Sequence, residues 1–175
     1  ALRRQLVEAK KAAVRVTEVL LPFDINELLG TKPPAPVPVL HLMRSVVMLM
    51  ELPGPMTSEV REISWGKCVN FGKRSKFLDA LRSMAIDAYE ERLLLPEDAV
   101  RQVRVYFHDP KFTPNEISKV NPGGYAARLL LVWVQSMLQN ALWVGVWDPD
   151  FSDPAKAYAL SQCTCCLLYT SDAAA

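Results

Sequence analysis

The sequence predicts an all-α fold, and three observations carry the prediction. Apolar residues recur at helical spacing, beginning with Leu2, Leu6, Ala9, Ala13, Val16 and Leu20, whose steps of four and three trace a single stripe. No strand-like alternation runs longer than four residues, and no Asn-Gly or Asp-Gly hairpin turn occurs. The apolar runs are separated by proline and glycine clusters that stop helices. With 175 residues, 50% of them hydrophobic and a formal net charge of +1, the chain can bury one core but hardly exceeds one domain. Disordered, collagen-like and multidomain classes are excluded.

The first stripe has the a/d spacing of a coiled-coil helix, with Arg3, Arg4, Lys10, Lys11 and Arg15 outside it, and so reads as a seam rather than a core helix. Pro22 interrupts it. Asp24 and Glu27 then have the spacing of a capping box that restarts a short helix through Ile25, Leu28 and Leu29. Gly30 and Pro33-Pro34 stop that helix. Because proline lacks an amide donor and pushes its predecessor out of the α region, Pro33, Pro34, Pro36 and Pro38 mark a rigid junction, where we place a domain boundary.

Val39 to Met50 is apolar round most of a helix, relieved by His41, Arg44 and Ser45, and is expected at the centre of a globule. Pro53-Gly54-Pro55 ends it. Further helices are expected over about residues 63–70, 76–89 and 96–107, the last with Pro96 in its first turn. Thr113-Pro114-Asn115-Glu116 is a capping box with proline at the first helical position, predicting a short helix to about Val120. After Pro122-Gly123-Gly124 an apolar helix runs from Tyr125 through Trp133, Met137, Leu142 and Trp143 toward Trp147. There is no internal repeat. The final string, residues 163–175, shares no periodicity with what precedes it and resembles a translated sequencing-adaptor sequence, so residues 162–175 are expected to be a non-native tail.

Chemical motifs are sparse. Cys68 and the crowded Cys163, Cys165 and Cys166 do not form the spaced framework of a secreted disulfide protein, which favours a reducing, intracellular setting. The three tail cysteines have no fourth ligand nearby for zinc. The basic, amphipathic start, without an initiating Met, points to a piece of a larger protein without a signal peptide. His41 and His108 belong to no metal or nucleophile motif. Gly66 to Ser75 comes near a phosphate-binding loop, but five residues separate its glycines and Arg74 stands where the metal-binding Ser or Thr belongs. Residues 129–147 carry no charge and are long enough for a single membrane span, the alternative class of a membrane-anchored helical protein. Gln135, Ser136, Gln139 and Asn140 in the middle, with Gly145 and Pro149 at the end, argue against it.

Charge offers the remaining lead. From Gly66 to Ile86, Lys67, Lys73, Arg74, Lys76 and Arg82 face Asp79 alone, and Arg101, Arg104, Lys111, Lys119 and Arg128 follow. Such residues read either as solvated helix faces or as a basic side turned toward an acidic polymer, by an attraction that salt screens. Nucleic acid is the generic polymer, but no recognition helix, aromatic platform or zinc finger supports it.

Specific strings narrow the choice. Leu20-Leu21-Pro22-Phe23-Asp24-Ile25-Asn26-Glu27-Leu28, followed by Lys32-Pro33-Pro34, resembles the end of the outgoing stalk helix of dynein heavy chains. Trp65, Phe77-Leu78, Tyr106 to Pro114 (Y-F-H-D-P-K-F-T-P), Lys119-Val120 and Trp133-Val134 are similar to successive landmarks of the microtubule-binding domain at the stalk tip. The resemblance spans about residues 14–149, and its specificity lies in the combination.

The resemblance implies a bundle of about six helices capping an antiparallel coiled coil: residues 1–32 ending the outgoing stalk helix, 33–149 the microtubule-binding domain and 150–161 the start of a returning helix that is mostly missing. It implies a non-enzymatic part of an ATP-driven, minus-end-directed motor whose AAA+ ring lies outside this sequence. The implied partners are the acidic surface of α/β-tubulin and other dynein subunits, with no cofactor, nucleic acid or membrane. The implied location is the cytoplasmic cytoskeleton, and the ciliary axoneme from the strings between Pro22 and Pro34. Lys119 occupies the place of a basic contact before the last helix. Arg44, Lys76, Arg82 and Arg128 lie on matching elements, and Pro33 and Pro34 at the stalk junction. Family members transmit state by sliding one stalk helix against the other, and Ala9, Ala13 and Val16 offer more than one register. This chain departs from the pattern at Pro38, at Pro122-Gly123-Gly124 and at Asp150, positions that bear on affinity. With its partner mostly missing, the seam from Leu2 is expected to be helical but unpaired.

Overall fold

The computed structural model describes residues 2–51 and 59–143, and every regular element among them is helical. The α-helices are α1 (Leu2–Val19), α2 (Pro22–Leu29), α3 (Val37–Met50), α4 (Trp65–Gly72), α5 (Phe77–Tyr89), α6 (Glu97–Arg104), α7 (Pro114–Ile117) and α8 (Gly124–Trp143). Single 3-10 turns occupy Val60–Glu62 and Val105–His108. The all-α expectation therefore stands. The expectations for Pro53-Gly54-Pro55, for the helix beyond Trp143, for Asp150, for the returning helix and for the tail lie outside the described residues.

Proline starts several of these helices, each time in a slightly different way. Pro22 takes the first position of α2, where a missing amide costs no bond, so it initiates a helix as well as separating two. Asp24 is consequently the third helical residue rather than the cap expected of it. Its carboxylate accepts from the Leu21 N–H at 2.9 Å. Extended backbone at Pro36 (φ −53°, ψ 139°) lets α3 begin at Val37, with Pro38 in the first turn. Pro96 is likewise extended and stands one residue outside α6. In α6, Glu97 and Asp98 sit in the first turn and Arg101 and Arg104 in the last, as the helix dipole favours. The chain then tightens into the 3-10 turn, so the single helix expected to Phe107 is two elements.

Two hydroxyl caps complete the set. Ser64 Oγ accepts from the Lys67 N–H at 3.1 Å, which moves the start of α4 to Trp65. Thr113 Oγ1 accepts from the Glu116 N–H at 3.3 Å, with Pro114 at the first position of α7 as anticipated. That helix ends at Ile117, short of Val120.

The core is built round α8. Every residue from Leu130 to Ala141 is buried, with α1, α2, α3, α5, α6 and α7 packed against the helix. Trp133, fully buried at its centre, donates its Nε1–H to the Leu81 carbonyl of α5 at 3.2 Å. Gln135, Ser136, Gln139 and Asn140 are buried too, and Ser136 Oγ donates to the Val132 carbonyl at 2.9 Å. Among the described residues no helix is long and apolar enough to cross a membrane.

The first helix is not the unpaired seam expected. Ala9, Ala13, Val16 and Leu20 are all buried, because α8 and α5 supply the surface that their stripe covers. Lys10, 5% exposed, extends to Glu91 Oε1 at 3.5 Å, just beyond α5. One continuous cluster of buried side chains runs from Ala13 of α1 to Ala141 of α8. Pro33 and Pro34 therefore join two helices that contribute to the same core.

Ala13, with no exposed surface, tests this docking. Ala13→Leu is expected to cost about 1–3 kcal/mol in urea unfolding by overpacking. On an unpaired helix the same change between two strong helix formers would leave stability nearly unaltered.

Candidate functional site

Backbone contacts gather several cations at one end of the bundle. The last turn of α2 buries Leu28 and Leu29, and two other segments pass directly against it. A Cβ on Gly72, at the end of α4, would stand 2.8 Å from Leu29 Cδ1. A Cβ on Gly123, where φ is +86°, would stand 2.5 Å from Leu28 Cα. At Gly123 a side chain would both strain the backbone and displace α2, whereas at Gly72 the Leu29 side chain would have to turn aside. Gly124 is as tight, since its Cβ would lie 2.2 Å from the Ser118 carbonyl oxygen, folding the end of α7 over the start of α8.

From these junctions the exposed residues Lys32, Lys73, Arg74, Lys76 and Lys119 emerge, against the carboxylates of Glu27, Asp79 and Glu116. Lys119 Nζ pairs with Glu116 Oε1 at 2.9 Å, an exposed pair that water and salt weaken. Arg74 lays its guanidinium 4.5 Å from the centroid of the Phe71 ring. Arg82 is exposed on α5, six residues beyond Lys76 and so about 9 Å further along the axis.

The other expected contact residues are placed differently. Arg128, on α8, is half-buried, and its Nε has no hydrogen-bond partner among the described residues. Arg44 is half-buried on α3, where its Nε donates to the Ile63 carbonyl at 2.7 Å. Pro33 and Pro34 are exposed in the connection between α2 and α3. Lys76, Lys119 and, further along α5, Arg82 thus present charge to solvent, while Arg44 is tied into the fold. Lys73 and Arg74, counted in the basic excess of the sequence, and Lys32, from the Lys32-Pro33-Pro34 string, join this end although they were not among the expected contact residues. The charge count signalled Lys73 and Arg74, but not that they would lie near Lys119.

A second polar group surrounds Arg44. The His41 ring stacks on Tyr106 with centroids 4.1 Å apart and planes 18° from parallel, and meets Phe112 edge-on. Burial first, and the Arg44 charge second, hold the His41 imidazole below its ordinary 6.5, while Asp109 opposes them. Burial raises the Tyr106 phenol, with Arg44 working the other way. The fully buried Cys68 thiol is pushed up to about 11, mainly by burial, which keeps it protonated and unreactive. No group of three His, Cys, Asp or Glu side chains among the described residues is placed to hold a metal ion. The stack is a packing feature whose His41 is the member that titrates nearest neutral pH, whereas the lysine-rich end is a surface able to attract a polyanion.

No family model, curated protein or solved structure matches this chain.

The position of His41 has a pH consequence. Unfolded, the imidazole takes up a proton near pH 6.5; folded, it resists protonation to lower pH. Its contribution to stability is therefore fully present above 6.5 and declines as pH falls toward the folded value. In urea melts at pH 7.5 and 5.5, the wild type is expected to lose more stability on acidification than His41→Phe. Equal losses would mean that other groups account for the acid sensitivity.

Proposed function

We propose that this chain is the microtubule-binding stalk tip of a dynein heavy chain, part of an ATP-driven, minus-end-directed motor for microtubule-based movement. The observation that carries the reading is the lysine-rich end. Segments that lie far apart in sequence, after α2, between α4 and α5 and between α7 and α8, deliver Lys32, Lys73, Arg74, Lys76 and Lys119 to one region. An acidic protein lattice such as tubulin is the kind of partner that such a surface attracts through long-range, salt-screened forces. The strings at residues 20–34 and 106–114 support the same reading by their resemblance to that family.

On this reading the part in hand binds and transmits but does not catalyse, and nucleotide hydrolysis belongs to a ring elsewhere in the parent motor. Its setting is the cytoplasmic cytoskeleton or the ciliary axoneme, in company with other dynein subunits. The stripe of α1, docked through alanines, is where a one-turn shift of about 5 Å would be accommodated.

Co-sedimentation with microtubules across a salt series tests the proposal. The intact chain is expected to pellet at low salt and to be released as salt rises. Lys119→Glu and Lys76→Glu are each expected to weaken binding by about tenfold at low salt, since a charge reversal near an acidic partner costs on the order of 1 kcal/mol or more. A folded protein that stays in the supernatant at low salt would overturn the proposal.

A further inference from the structure

The turn between α4 and α5 carries a chemical group that binding does not use. Residues 73–76 are all exposed and belong to no helix, and their sequence is Lys73-Arg74-Ser75-Lys76. Ser75 thus has cations on both sides. Its hydroxyl makes no hydrogen bond among the described residues.

Other serines and threonines of the described residues are occupied, buried or held in helix. Ser45, Ser136 and Thr31 are buried. Ser64 and Thr113 cap helices, and Ser118 Oγ donates to the Asn115 carbonyl at 2.7 Å. Thr17 Oγ1 donates to the Val14 carbonyl at 2.6 Å, and Ser83 lies within α5. Ser75 alone among them is exposed, outside helix and flanked by three positive charges.

We infer that Ser75 is a phosphorylation site for a kinase that selects serines among basic residues, and that its modification sets the charge of the lysine-rich end. Kinases of this class read the charges beside the acceptor. In the transfer, Ser75 Oγ attacks the γ-phosphorus of a nucleoside triphosphate, the bond from that phosphorus to the bridging oxygen breaks, and the nucleoside diphosphate leaves. The hydroxyl proton passes to the base of the kinase. The product carries about two negative charges at neutral pH, enough to offset two of the three adjacent cations. It also stands next to Lys76 at the start of α5, where negative charge favours the helix. Phosphorylation should therefore lower affinity for polyanions while leaving the fold intact.

The proposed consequence for microtubules rests on the stalk-tip reading, whereas the site and its effect on charge do not. The test treats the intact chain and Ser75→Ala with a basophilic serine kinase and magnesium ATP. Phosphate is located by peptide mass spectrometry, binding to immobilised heparin and to microtubules is measured, and thermal melts monitor folding. One phosphate is expected on the peptide holding Ser75 and absent from Ser75→Ala. Heparin binding at low salt should weaken by about tenfold with no fall in melting temperature. No phosphate at Ser75, or unchanged heparin binding after its incorporation, would overturn the inference. Weakened heparin binding in a chain that never binds microtubules would leave the switch standing and remove the stalk-tip reading alone.

Discussion

A helix buried on every side has to match its neighbours on every side, and α8 is such a helix. From Leu130 to Ala141 it shows water almost nothing, so each surrounding helix is held to the shape that α8 leaves it. Trp133 sets the depth at which α5 lies, through the indole N–H on the Leu81 carbonyl. The polar side chains of α8 are part of the same constraint. Gln135 Oε1 and both amide atoms of Asn140 are buried without a hydrogen-bond partner among the described residues, a cost that the surrounding apolar contacts outweigh.

Much of this was legible from local pattern. Apolar spacing located the long helices, since burial of one stripe is what selects helical residues in the first place, while capping signals located α2 and α7. Boundaries moved by up to three residues, at starts set by prolines or by the Ser64 cap and at ends where α6 tightens into a 3-10 turn and α7 stops at Ile117. Pro22 and Pro114 take the first helical position, whereas Pro96 stands outside it, and local sequence alone does not separate these uses. The fate of α1 was not legible, because a stripe that includes Ala9 and Ala13 suits a two-stranded coil and a globular core equally well. The His41 stack on Tyr106 brings together residues 65 positions apart, and no periodicity reports such a pairing.

The basic surface divides in the same way. Counting charges along the chain finds an excess of cations between Gly66 and Ile86 but does not say which of them face solvent. Arg44 is drawn inward by the Ile63 carbonyl, where its charge acts on His41, Cys68 and Tyr106. Lys73, Arg74 and Lys76 stay outside because the turn that holds them follows a glycine fitted against Leu29. Their grouping with Lys119 follows from how closely backbones approach, which is a property of the folded chain.

Those close approaches also limit how independently neighbouring segments can be placed. Most helix contacts are padded by side chains that can change rotamer and absorb a small displacement. Gly123 meets the backbone of α2 with no such padding, while Gly72 fits closely against the end of the Leu29 side chain. A contact of this kind is stiff. Because α2 follows α1 after only two residues, the end of the N-terminal segment and the turns that follow Gly72 and precede Gly123 are fitted to one another, and none of them can be repositioned alone.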